Sequence, residues 1–95
     1  MSKIKTIILF YAYRSNSCYI FKPVFEKVSE DKKYKDIIFK EVDVSTDEGL
    51  EESEEYGIQI IPSTIFLGEN DFFLGKTIGN IALDSFKKEI DKANG

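Results

Sequence analysis

An almost unbroken apolar stretch at residues 4–13 runs directly into the four residues Ser15-Asn16-Ser17-Cys18, and Pro23 follows five positions after the cysteine. Ile, Phe and Tyr with so little polar alternation describe a strand buried on both faces, as at the middle of an α/β sheet. Beyond the turn, Cys18, Phe21, Phe25 and Val28 recur at helical spacing, and Ser15 or Asn16 is a suitable N-cap. Pro23 falls inside this helix, where the missing amide and the ring are expected to bend the axis. A central strand feeding a helix at a sharp polar turn restricts the chain to an α/β arrangement.

The rest of the pattern extends that arrangement. Residues 37–44 read as a second strand, parallel to the first because a helix lies between them. Ser45 and Glu48 form a capping box for a short acidic helix in which Leu50 and Tyr56 are expected to be buried, and Gly57 suits a left-handed helix end. Residues 64–67 and 72–76 flank Gly68-Glu69-Asn70-Asp71 and predict an antiparallel hairpin. Ala82, Leu83, Phe86 and Ile90 predict the apolar face of a last helix capped by Asn80. The order is βαβαββα, within one domain expected to span residues 1–95. With 42% hydrophobic and 14% aromatic residues, a chain this short buries roughly 60–65% of its unfolded surface.

Charge and residue counts exclude several functions. A net charge of −4 argues against nucleic acid as a partner, because phosphate binding draws on clustered Lys and Arg. The apolar stretch is far shorter than the ~20 residues that cross a bilayer, so no membrane span is expected. Its basic flank imitates a signal peptide, but no small-x-small cleavage site follows, and a cytoplasmic location is expected. With one cysteine, no disulfide can close within the chain; with no histidine, Ser-His and Cys-His pairs and imidazole metal sites are unavailable. Asp43, Ser45, Asp47 and Glu54 fall in the register of a calcium loop, but Glu48 stands where that loop needs glycine. The acidic run reads as a solvated helix face, and neither a metal nor a cofactor is expected.

Taken together, Phe10-Tyr11-Ala12, Ser15-Asn16-Ser17-Cys18, Pro23, Val42-Asp43-Val44, Tyr56-Gly57-Ile58, Ile61-Pro62 and Gly79 resemble the thioredoxin family. The resemblance covers residues 4–92 and is gapless from Phe10 to Pro23, and the family's usual extra N-terminal strand and helix are not expected within these residues. It implies a thioredoxin-like fold, a four-stranded mixed sheet flanked by three helices, with the site at the start of the first helix opposite Pro62. Ser15 falls on the nucleophilic cysteine of the Cys-x-x-Cys motif and Cys18 on the resolving one. Pro62 falls on the family's cis-proline, which leaves the backbone of Ile61 free to pair with an extended peptide, and a cis bond is expected here over the other reading, a trans proline at a strand edge. Gly79 resembles the glycine beside the same groove, Arg14 stands where the family has tryptophan, and Leu9 where many members have a buried aspartate.

These departures shape the functional expectation. A thiol at a helix N-terminus is pushed toward the thiolate, whereas a serine hydroxyl there stays protonated without an adjacent base. Three origins of Ser15 stay open: an introduced replacement of cysteine or selenocysteine, a natural loss of dithiol chemistry, or a hydroxyl that hydrogen-bonds a small-molecule thiolate. Cys18 reads as a shielded small hydrophobe, with a slow monothiol as the other reading. The chain is therefore expected to be a thioredoxin-like member of the protein disulfide reductase family that does not complete a dithiol cycle. Extended cysteine-containing segments would lie along Tyr13, Arg14, Ser15, Ile61, Pro62 and Gly79, and an active form would draw electrons from a thioredoxin reductase or a glutathione system. The alternative is a redox-inactive interaction module that meets partners through exposed Tyr11, Tyr13 or Tyr19.

Overall fold

The computed structural model describes residues 3–95. Strand β1 (Thr6–Tyr11) leads to helix α1 (Asn16–Ser29), β2 (Ile38–Asp43), α2 (Asp47–Glu55), β3 (Ser63–Leu67), β4 (Phe73–Ile78) and α3 (Leu83–Ala93), with 3-10 turns at Lys32–Tyr34 and Glu69–Asp71. The sheet order is β2-β1-β3-β4. β1 pairs in parallel with β2 and antiparallel with β3, which pairs antiparallel with β4. The fold is thus the mixed four-stranded sheet with three helices that the pattern of apolar residues implies.

Both faces of β1 are covered, which explains its lack of alternation. Ile7 and Leu9 face α1 and α3 and pack with Phe21, Phe25, Phe66, Phe86 and Ile90. Ile8 and Phe10 face the opposite way, with Val42, Ile65 and Leu67, under Tyr56 and Ile61. Phe21 meets Phe86 edge to face at 5.1 Å between ring centroids, a geometry that adds to the gain from burial alone.

Two helix starts differ from the sequence expectation. Helix α2 is capped by Thr46, whose hydroxyl accepts the Gly49 amide at 2.9 Å. Ser45 instead donates its backbone N–H and its hydroxyl to Asp43 Oδ1 at 2.9 and 2.6 Å; this local turn draws Ser45 out of the cap position. Leu50 is 49% exposed rather than buried, and the buried positions of α2 are Gly49 and Ser53. The reason is a close approach: a Cβ on Gly49 would lie 1.9 Å from the Asp43 carbonyl oxygen. The helix therefore rests on its smallest residues and turns Leu50 to solvent.

Helix α3 begins after Ala82, which makes no side-chain cap, so Asn80 lies too early to serve as one. Ala82 itself is exposed, and Leu83, Phe86 and Ile90 carry the buried face. The hairpin strands run longer than expected, to Ile78, with a register shift beside Phe66 and Leu67. Between them the buried hydroxyls of Thr64 and Thr77 bond each other, so neither is left unpaired inside the sheet.

Candidate functional site

The chain leaves β1 at Tyr11 and reaches α1 through Ala12-Tyr13-Arg14-Ser15. Ser15 has extended backbone angles and is the N-cap; its hydroxyl accepts the Cys18 N–H at 3.3 Å, while its carbonyl accepts the Tyr19 N–H at 3.0 Å. One of the unpaired amides that open any helix is satisfied in this way. Among the described residues no carboxylate bonds this hydroxyl, and its partner is a backbone amide. Cys18, one turn on, is 3% exposed.

The register gathers a second set of residues beside this turn. Phe10 pairs with Ser63, and Ser63 with Ile78. The turn after β1, Ile61-Pro62 before β3 and Gly79 after β4 therefore lie at one end of the sheet. Pro62 is buried, its peptide bond to Ile61 is cis, and its carbonyl accepts the Gly79 N–H at 2.7 Å. Gly79 has φ of +81°, where a side chain is disfavoured and glycine is free to turn the chain away from β4. Ile61 is half-buried and Ile60, before it, is exposed. Ser15, Ile61, Pro62 and Gly79 thus share one end of the molecule.

Tyr13 is drawn to the flank of α1. It is 76% exposed and Tyr19 is 77% exposed. Tyr13 packs edge to face on Tyr11 at 5.7 Å, and the Lys22 ammonium sits 4.8 and 5.3 Å from the Tyr11 and Tyr13 ring centroids. Lys22 also pairs with Glu41 of β2 at 3.3 Å. Tyr11, Tyr13, Cys18, Tyr19, Lys22 and Pro23 line a cleft of about 400 Å³. Arg14, beside it, is exposed.

Burial raises the Tyr11 phenol above its usual range, opposed by the nearby Lys22 charge. Burial draws the Lys22 ammonium down, but the bond to Glu41 and the Glu41, Tyr11 and Tyr13 charges outweigh it, and the net direction is up. Lys22 stays charged and pins the aromatic pair against the β2 edge. Asp43 is held below the usual carboxylate range by the Ser45 hydroxyl and then the Ser45 amide.

Lys22 and Glu41 were not singled out from the sequence. The available signal was the spacing of Tyr19, Lys22, Pro23 and Glu26, which places one surface of α1 over this cleft. Leu9 is fully buried among apolar groups, so no carboxylate stands there. Among the described residues, no group of three or more His, Cys, Asp or Glu gathers to hold a metal ion.

Comparison with known proteins adds a second line of observation. The thioredoxin family model matches residues 1–92. A thioredoxin of Mycoplasmoides gallisepticum is 39% identical over 84 residues, covering 88% of this chain and 79% of that protein. The short form of spinach chloroplast thioredoxin f superposes with a TM-score of 0.81 at 26% identity, covering 98% and 80% of the two chains. Malassezia sympodialis thioredoxin superposes with a TM-score of 0.82, covering 99% of this chain and 79% of the other; at 24% identity this speaks to the fold.

Proposed function

Because the chain belongs to the thioredoxin family, which is of the thiol–disulfide oxidoreductase kind, we propose that it keeps the family's substrate-binding end and lacks its dithiol cycle. The observation that carries this reading is the use of the Ser15 hydroxyl. It caps α1 by accepting the Cys18 amide, among the described residues no base is bonded to it to remove its proton, and the single thiol of the chain is buried behind it. A dithiol cycle needs two sulfurs, one to attack the substrate disulfide and one to resolve the mixed disulfide. Here the attacking position holds oxygen.

Binding is a separate property from turnover. Ile60, which is exposed, and Ile61, which is half-buried, lie beside Pro62 and Gly79, an arrangement that suits an extended segment that would bring a cysteine to Ser15. Arg14 and Tyr13 would flank such a segment. Without a nucleophile the encounter ends in reversible binding. A second reading, an interaction module, is favoured by the exposure of Tyr13 and Tyr19 over the α1 cleft, since exposed tyrosines supply large contact area at small entropic cost.

The test is reduction of a protein disulfide with dithiothreitol as electron donor, comparing the chain with Ser15→Cys. Acceleration by the variant alone supports retained machinery that lacks its nucleophile. Equal acceleration by the unaltered chain overturns the proposal. No acceleration by either shifts the reading to the interaction module.

A further inference from the structure

Strand β2 is an edge of the sheet, and among the described residues no strand pairs with its outer side. Ile38 donates its N–H to the Lys5 carbonyl and Val44 to the Tyr11 carbonyl, both at 2.9 Å. Even-numbered residues therefore face β1, and by the alternation of a strand the N–H groups of Phe39, Glu41 and Asp43 point outward. The Asp43 carbonyl is taken by Thr46. Among the described residues, no backbone bond outside the regular ladders reaches Phe39 or Glu41. Ile38, at the start of this edge, is 62% exposed. The other edge, β4, is interrupted by its register shift, a common protection against strand addition; β2 pairs with β1 without a shift.

Charge selects the occupant. Glu48, Glu51, Glu52 and Glu55 recur at helical spacing on one stripe of α2 and, with Asp71, line a cleft of about 470 Å³ that opens over the sheet beside Lys40 of β2. Among the described residues, none of these carboxylates joins an ion pair. Like charges three and four apart weaken a helix, so the stripe is a burden to α2 that a cationic neighbour relieves. Ile8 and Leu67 give the cleft an apolar floor. The opposite side of the β2 edge is different: Phe39 is half-buried against the α1 core, and Glu41 is already paired with Lys22. A strand laid along β2 meets net negative charge on one side and an aromatic, charge-balanced surface on the other.

We propose that β2 accepts an extended segment of another protein in which Lys or Arg alternates with apolar residues, the basic side chains turned toward α2. Backbone pairing supplies the contact and the alternation sets the face. A second copy of this chain is the poorer occupant. The two twofold antiparallel registers that overlap most of β2 set Lys40 or Glu41 against its own copy, and like charges directly opposed destabilise a pair.

The test uses fluorescein-labelled peptides of about eight residues, the length of an ordinary strand: alternating Lys and Val, alternating Glu and Val, and the Lys–Val peptide with every second amide N-methylated. Anisotropy at low salt is expected to show binding of the Lys–Val peptide, at least about tenfold weaker binding after N-methylation, and none of the Glu–Val peptide. Glu41→Pro removes an outward amide and leaves the ladder to β1 intact, so it is expected to lose binding while retaining its far-UV circular dichroism. Glu51→Gln combined with Glu52→Gln is expected to weaken binding and flatten its salt dependence. Equal affinity for the N-methylated peptide, equal affinity for the Glu–Val peptide, or no binding of the Lys–Val peptide overturns the proposal. A dimer in sedimentation velocity that Glu41→Pro abolishes also overturns it, in favour of a second copy.

Discussion

Replacing Ser15 by alanine separates the structural use of this hydroxyl from any chemical one. The Ser15 Oγ accepts the Cys18 N–H at 3.3 Å, near the long end of a useful N–H···O bond. Loss of an N-cap side chain costs about 0.5–2 kcal/mol, and the long bond places this case near about 0.5–1 kcal/mol. In a domain of this size 1 kcal/mol moves the midpoint by about 4–8 °C, so Ser15→Ala is expected to melt roughly 2–8 °C below the unaltered chain. Ser15→Asp is the internal control. It keeps an acceptor and adds negative charge to a first turn that holds no acidic residue, a gain of about 0.3–1 kcal/mol at low salt. Thermal unfolding followed by far-UV circular dichroism in low and high salt gives the ranking. The expected order is Asp at or above Ser, and Ser above Ala, with the Asp advantage shrinking as salt rises. If Ser15→Ala melts with the unaltered chain, the hydroxyl is not a working cap and is not engaged at the helix start.

Three further perturbations follow from packing. Gly49→Ala gains about 1 kcal/mol in helix propensity, but its Cβ meets the Asp43 carbonyl oxygen at 1.9 Å; a net loss of about 2 kcal/mol is expected in urea unfolding. Phe86→Ala empties the meeting point of Phe21, Phe25 and Phe66 and is expected to cost about 3–5 kcal/mol in the same assay. Tyr34→Phe removes the hydroxyl bond to Asp91 at 3.0 Å, worth about 1 kcal/mol. Burial first, and then the Asp91 bond, raise the Tyr34 phenol above 10.0. Its stabilising effect is therefore complete below that value and declines as pH climbs through the higher folded value; alkaline unfolding of Tyr34→Phe lacks this component.

Periodicity carries information about burial, and burial decided most of this fold. β1 reads as a two-sided strand because Ile7, Ile8, Leu9 and Phe10 are all inside, and the spacing of Cys18, Phe21, Phe25 and Val28 matches the buried face of α1. The cap of α1 was legible only as Ser15 or Asn16, because both residue types accept a bond from a helix amide, and the structure selects Ser15. The capping of α2 was not legible: Ser45 and Thr46 are both good caps, and the choice depends on Asp43 drawing Ser45 into a local turn. Leu50 was misplaced because hydrophobicity alone gives no account of the contact that seats α2 on Gly49. The α1 cleft depends on Lys22 meeting Glu41 across the β1–α1–β2 crossover, a long-range pairing that local spacing does not contain.

Leu9 links the core to the chemistry. It is fully buried with Ile7, Phe21 and Phe66, at the position where the family resemblance expects a carboxylate to help move a proton for the second cysteine. A leucine there adds apolar burial of about 1.5–3 kcal/mol relative to exposure, whereas an unpaired carboxylate in the same setting carries a desolvation penalty that pushes it toward its neutral form. One residue thus favours the packing of β1 and leaves no carboxylate at that position. The consequence for Ser15→Cys is specific. The new thiol would lie at a helix start that favours the thiolate, so attack on a disulfide is restored first. Resolution by Cys18 stays slow, because that thiol is buried with leucine in place of the carboxylate. Mixed disulfides between the variant and its substrate should therefore accumulate, visible on non-reducing gels and removed by dithiothreitol. A variant that turns over rapidly without such an intermediate would show that Leu9 is no obstacle and that Cys18 finds its proton acceptor elsewhere.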